Sequence, residues 1–349
     1  MRHLCIKDVL LSSLILLTLS GLSCPAQTIL TDRPAARPLP SPDKEDSFTF
    51  AIIADVTDAG PNNLDVLKQA VADLNLLSPD LVLTIGDMIQ GYCDRPTWLE
   101  QWNVSKQILD GLQRPWYPVA GNHDIYWASN QPKPKEQHEP DYERHIGPLW
   151  YAFRHKGCWF IVLYTDEGDP NTGAKSISDP NAQRFSQRQI RWLRSILAKA
   201  RDAKHIFVFM HHPRWVTEEY GQQWSTIHDI LAKARVSAVF AGHDHILRFD
   251  GNRDGIMYYR LGTAGGAINR RIEPEAFHHF FLVTVRGRQF RVSAVKIGSV
   301  YDPQDPAFAR YTLLPITQWR IGQDRIVDLV IHIPQIQPGL RPILQVGLT

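Results

Sequence analysis

The sequence predicts an α/β protein in which buried strands alternate with amphipathic helices. Three observations carry this. Apolar runs such as FTFAIIAD (48–55) and LVLTIGD (81–87) are short and bounded by turn residues, the pattern of strands covered on both faces. Segments with helical spacing follow them. The runs end repeatedly on Asp, Asn or His, at the C-terminal ends of strands, where open α/β sheets place their sites. At 349 residues the chain can bury one large core or two smaller ones. It is 44% hydrophobic and 21% charged, with net charge +2, so no global field draws it to nucleic acid or anionic membrane.

Taken in order, the first residues read as an export signal. Arg2 and Lys7 precede the apolar stretch Leu10 to Leu22, and Cys24-Pro25-Ala26 offers small residues at signal-peptidase spacing. The stretch is short for a span of roughly 20 residues. Cleavage after Ala26, giving signal peptide 1–26 and a periplasmic or extracellular product, is the preferred reading. Lipidation at Cys24 and an uncleaved anchor are the alternatives, and Gly21-Leu22-Ser23 is a poor lipobox. Residues 27–46 form a linker whose Pro34, Pro38, Pro40 and Pro42 exclude a helix.

A domain is expected over 47–300. After the first strand, Leu64, Leu67, Val71 and Leu74 share a helix face, and Pro79 ends the helix before the second strand. A helix follows over 98–112, then a third strand, 116–120, running into Gly121-Asn122-His123-Asp124. Residues 128–148, with Pro132, Pro134 and Pro140, read as a long loop over the site mouth. Strands at 150–153 and 158–164, a loop over 167–184 and a helix over 185–200 come next. HIFVFMHH (205–212) is a strand, 224–234 a helix, and VSAVFAGHDH (236–245) another strand. MYYRLG, HHFFLVTV and QFRVSAV suggest a second sheet of antiparallel strands. Residues 301–349 read as an extension packed on or beside the domain. Outside the leader, Cys93 and Cys158 fit either a disulfide or two small buried hydrophobes. Trp98, Trp102, Tyr126 and Trp127 read as packing residues rather than a stacking platform.

The strand ends collect Asp55, Asp87, Asn122, His123, Asp124, His211, His212, His243 and His245. Carboxylate, amide oxygen and imidazole are ligands for hard-to-borderline divalent metals. Any one of these residues alone would suit a cap or a solvated turn. Five such segments on one sheet edge do not.

In these segments the sequence resembles the calcineurin-like metallophosphoesterases, over roughly 48 to 298. The matches are Asp55, Gly86-Asp87, Gly121-Asn122-His123-Asp124, His211-His212-Pro213 and Gly242-His243-Asp244-His245, in the family's order. The resemblance implies a four-layer α/β/β/α sandwich, with two mixed β-sheets flanked by helices and two divalent ions (Mn, Fe or Zn) at the strand ends. It implies that Asp87 bridges the ions. Asn122, His211 and His243 complete one ion's ligands, and Asp55 and His245 serve the other. His123 would assist the leaving or phosphoryl oxygen, with Asp124 orienting its ring. The implied chemistry is attack on phosphorus by metal-activated water, on phosphomonoesters or phosphodiesters. His212 and Tyr92 are candidate substrate contacts, with packing beneath Pro213 the alternative for His212, and Arg270 and Arg271 read as solvated, with contact to a distal phosphate the alternative. The expected partner is a small phosphoester, with membrane association only through the leader or a lipid anchor.

One departure stands out. The family's first motif is Asp-x-His, but Thr57 holds the histidine's place. The purple acid phosphatase branch supplies a tyrosine three residues after the second-motif aspartate, and here that residue is Gln90. Tyr92 reaches the site only if its loop bends. Thr57, Asp58 and Gln90 are the candidate substitutes. The alternative function is therefore a degraded site that binds phosphate or metal without turnover.

Overall fold

The structure is a computed structural model. It describes residues 47–302 apart from 59–62, 129–131, 170, 178, 180–181, 183, 217–220 and 269–275, together with two strands further on. The expected leader, linker and most of the C-terminal extension lie outside the described residues, as do Arg270 and Arg271.

Strand β1 (Ser47–Ile53) leads to helix α1 (Asn63–Leu77), β2 (Leu81–Ile85), α2 (Arg95–Leu109) and β3 (Trp116–Val119). Asp94 caps α2 by accepting from the Thr97 amide, and Pro96 occupies the first turn, so the helix starts earlier than its apolar spacing suggested. Then come α3 (Asn122–Ile125), α4 (Glu139–His145), β4 (Tyr151–His155), β5 (Cys158–Val162), α5 (Gln187–Lys199) and β6 (Ile206–Phe209). The chain continues through α6 (Gly221–Lys233), β7 (Ala238–Ala241), β8 (Arg248–Arg253), β9 (Ile256–Arg260), β10 (His279–Arg286) and β11 (Gln289–Lys296). In the extension, β12 (Ile316–Ile321) pairs antiparallel with β13 (Val327–Ile331).

One sheet has the order β11-β10-β1-β2-β3 and the other β4-β5-β6-β7-β9-β8. The first pairs β1, β2 and β3 in parallel and adds β10 antiparallel to β1. The sheets face each other. Phe48, Phe50 and Ile52 of β1 point inward with Leu83 and Ile85, against Phe160, Phe207, Phe209 and Phe240. The Phe50 ring centroid lies 5.1 Å from those of both Phe160 and Phe207. The alternate residues Ala51 and Ile53 turn outward and are covered by Leu67, Leu74, Trp98 and Trp102. On the far sheet, Val208 and Val239 meet Leu193, Leu197 and Ile227. This is the four-layer sandwich, and its parallel strands read as unbroken apolar runs because both faces are covered.

Two expectations change. The late antiparallel segments do not form a sheet of their own: β9 lies parallel to β7, while β10 and β11 join the first sheet. Alternation shows that a strand exists, not which edge it extends. The loop expected over 128–148 contains α4, because Pro140 sits in its first turn, where a missing N–H costs nothing.

Candidate metal centre

Strands β1, β2, β3, β6 and β7 end on the same edge of the sandwich, and Asp55, Asp87, Asn122, His211, His243 and His245 follow them within a few residues. Asp55, Asp87, His243 and His245 have φ of 53°, 56°, 71° and 56°. Non-glycine residues rarely hold this left-handed conformation, and it concentrates where a site dictates side-chain direction. Gly121 permits the close approach: a Cβ there would stand 2.3 Å from Asp87 Oδ1.

His211 is fully buried and donates from Nδ1 to the Ile85 carbonyl at 2.8 Å. That bond turns Nε2 toward Asp87 Oδ2, at 3.1 Å, and Asn122 Oδ1, also at 3.1 Å. A carboxylate oxygen, an amide oxygen and an imidazole nitrogen therefore converge, three lone pairs with one proton at most among them. Burial depresses the His211 imidazole, but the Asp87 carboxylate outweighs it and raises it to about 10. Burial likewise opposes the Asp87 charge, and His211 nevertheless holds it well below the usual carboxylate range. Nδ1 of His243 is buried and has no hydrogen-bond partner among the described residues. Such an orphan costs free energy unless something binds it. These four donors fit a divalent cation.

Beside them lies Asp55, whose carboxylate accepts from the His243 amide at 3.1 Å and approaches His245 Nε2 at 3.5 Å. His245 Nδ1 donates to the Ala267 carbonyl at 2.8 Å, which again aims Nε2 at the carboxylates. Burial lowers this imidazole, and Asp55 raises it to about 9. Ligand atoms of Asp55, Asp87 and His211 all lie within 4.8 Å of one another. This second group has fewer donors. Thr57 is fully buried and its hydroxyl has no hydrogen-bond partner among the described residues. Gln90 and Asp58 satisfy each other: the Asp58 amide donates to Gln90 Oε1 at 3.1 Å, and Gln90 Nε2 donates to Asp58 Oδ1 at 3.0 Å.

Asp124 departs from the expected role. Its carboxylate does not orient the His123 ring. It accepts the amides of Asp87 at 2.8 Å, Met88 at 3.0 Å and Gly121 at 2.9 Å, and so ties two motif loops together. Burial and the Asp87 charge push its pKa up, while the amide donors favour the anion and oppose that push. The ring is oriented instead by Gln90, whose carbonyl accepts His123 Nδ1–H at 2.6 Å. His123 Nε2 then stands 3.9 Å from Asp58 Oδ2. The reason is geometric. Asp124 is the third residue of the one-turn helix α3, so its side chain folds back to the Gly121 amide at the helix start.

His212 is buried, with Nε2 donating to Asp166 Oδ1 at 3.0 Å and its ring 3.9 Å from the His243 ring, centroid to centroid. Asp166 also accepts from Tyr126 Oη at 2.6 Å and Thr165 Oγ1 at 2.8 Å. Burial disfavours its charge, yet His212 and Arg214 hold it well below the carboxylate range. Burial keeps His212 neutral. Asp166 was not among the expected site residues, although it too follows a buried strand, β5. Arg260, which donates to Asp244 at 2.7 Å and to Asp250 at 2.9 Å, braces the His243–His245 loop and gave no local signal.

The centre opens into a cleft of ≈ 420 Å³ walled by Asp58, His123, Ile177, His243, His245 and Ile268. Neither His212 nor Tyr92 is among its described walls. Trp98, Trp102 and Tyr126 are buried in the core, as packing residues. Among the described residues, Cys93 and Cys158 form no disulfide.

The chain is 24% identical over 210 residues to tartrate-resistant acid phosphatase type 5 of Homo sapiens, covering 56% of this chain and 64% of that one. It is 27% identical over 255 residues to purple acid phosphatase 21 of Arabidopsis thaliana, covering 64% and 52%. It thus spans less than two thirds of these relatives. Its fold matches a dimetal phosphatase from Danio rerio, with TM-score 0.53, 18% identity and coverage of 72% and 99%. It also matches the purple acid phosphatase PPD1 of yellow lupin, with TM-score 0.52, 17% identity and coverage of 75% and 54%. The pattern of the calcineurin-like phosphoesterases covers residues 48–247, more than half of the 349-residue chain, and the chain belongs to that family.

Proposed function

We propose that this protein hydrolyses small phosphomonoesters or phosphodiesters at a dinuclear metal centre. The observation that carries the reading is the convergence of Asp87 Oδ2, Asn122 Oδ1 and His211 Nε2 beside the orphaned Nδ1 of His243, at the floor of an open cleft. Asp87, Asn122, His211 and His243 would hold one ion. Asp55, Asp87 and His245 would hold the other, with Thr57, Asp58, Gln90 or solvent left to complete it. Bound divalent ions supply Lewis acidity, which activates water and neutralises charge on the phosphoryl group.

The chain's own residues do the rest. The Ile85 and Ala267 carbonyls hold the Nδ1–H of His211 and His245, so that Nε2 of each would be the atom that yields its proton to a bound cation. Asp87 binds the His123 amide through Oδ1 at 2.9 Å, which couples the bridging carboxylate to the residue at the cleft wall. His123, oriented by Gln90, lines the cleft, where it would serve as the general acid for a leaving oxygen. Ile177 and Ile268 offer apolar contact to the leaving group. The near-neutral net charge favours a small substrate over a long nucleic acid.

A second reading, metal or phosphate binding without turnover, rests on the buried, unpartnered Thr57 hydroxyl where the family usually offers an imidazole. The test is hydrolysis of one chromogenic monoester and one diester across manganese, iron, zinc and chelator. Turnover restored by metal supports the hydrolase, and the ratio of rates gives the substrate class. A folded, metal-loaded chain without turnover supports the binder. The export reading rests on the leader pattern alone, and no helix among the described residues is long and apolar enough to cross a membrane.

A further inference from the structure

The turn at Gln90-Gly91-Tyr92 grips the Asn122-His123 pair at three points. The Gln90 carbonyl accepts a hydrogen bond from His123 Nδ1–H. Gly91, at φ +60°, lies against the His123 backbone so closely that a Cβ would stand 1.7 Å from the His123 carbonyl oxygen. Tyr92 accepts a hydrogen bond from Asn122 Nδ2 at 2.9 Å, and its ring meets the His123 ring edge-on at 4.7 Å. Tyr92 itself has φ +49°. A bulky residue keeps that conformation only where its surroundings dictate it. Two successive left-handed residues supply the bend that carries the hydroxyl to Asn122.

We infer that Tyr92 is a positioning residue for the metal centre: its hydroxyl holds the Asn122 amide so that Oδ1 faces His211 and Asp87. A side-chain amide can turn either end to a metal, and only the oxygen has a lone pair to give. Held by Nδ2, the amide presents Oδ1, 3.1 Å from His211 Nε2. Partners of this kind fix a ligand's direction and tune its affinity. The contact places Tyr92 behind a ligand rather than on an ion. The inference rests on the metal-site reading above.

The test is calorimetric titration of the full chain with Zn²⁺, for the unmodified protein, Tyr92→Phe, Asn122→Ala and the double variant. Phenylalanine keeps the ring packing and removes only the hydroxyl. The expected result is a loss of affinity of about 10- to 100-fold in Tyr92→Phe. The same change should do little in the Asn122→Ala background, because the two act as one unit. An unchanged affinity in Tyr92→Phe would overturn the inference, as would an equal loss in both backgrounds. Loading with Fe³⁺ gives a second readout: a visible charge-transfer band that vanishes in Tyr92→Phe would make the tyrosine a direct ligand and overturn its placement behind Asn122. Failure of the unmodified chain to take up any ion would instead overturn the metal-site reading, and this inference with it.

Discussion

His211 Nε2 and Asp87 Oδ2 stand 3.1 Å apart and both are buried, the ring aimed by the Ile85 carbonyl and the carboxylate by a left-handed backbone. In the metal-free chain a shared proton relieves the contact. On the proposed reading a cation would take the proton's place, with Asp87 common to both groups of candidate ligands.

Replacing Asp87 with alanine is therefore expected to remove tight binding of both ions, a loss of at least about 100-fold in affinity, since outer-shell partners alone are worth 10- to 100-fold. Metal titration and turnover check this. Near-normal turnover in Asp87→Ala would end the two-metal reading.

The second prediction concerns protons. His211 at about 10 and His245 at about 9 lie above their ordinary 6.5, so at pH 7.5 both carry a proton that metal must displace. Uptake at that pH should release roughly two protons. Affinity should strengthen as pH rises toward 9–10 and weaken as it falls. The metal-free chain shows the opposite trend in stability: a raised folded pKa stabilises fully below 6.5 and loses its effect as pH rises through 9 and 10. Titration in buffers of differing ionisation enthalpy counts the protons, and none released would contradict the assignment.

Asp124→Asn tests the loop clasp. An amide offers one oxygen where three N–H groups need a carboxylate, so at least one donor is left unpaired, at a cost of about 1–3 kcal/mol. Denaturant midpoints measure it. An unchanged midpoint would mean the loops are held by other contacts.

Much of this was legible in the sequence, for a local reason. An apolar run and the polar residue that follows it are neighbours in the chain, so the placement of Asp55, Asp87, His211 and His243 at strand ends could be read from it. What depends on distant pairing was not. Nothing near Asp166 announces His212, 46 residues away, as its partner. Asp124 sits beside His123 in sequence, yet its carboxylate serves Asp87 and Met88 across the fold. The membership of β10 and β11 in the first sheet rests on pairing between Phe50 and Val283, which no local pattern encodes.

Thr57 bears on the second ion. Its hydroxyl is enclosed and unpartnered, so an imidazole or carboxylate there adds a strong donor. Thr57→His, or the smaller Thr57→Asp, is expected to tighten the weaker ion by at least about tenfold. An unchanged titration in both would mean that Asp58, Gln90 or solvent already completes that position.

The most direct test compares turnover of the metal-loaded chain with that of His123→Ala. The account predicts phosphoester hydrolysis that chelator abolishes and metal restores. In His123→Ala it predicts kcat lower by about 10²- to 10⁴-fold with metal content unchanged. Equal turnover in His123→Ala, or none in a chain carrying both ions with either ester, would contradict it.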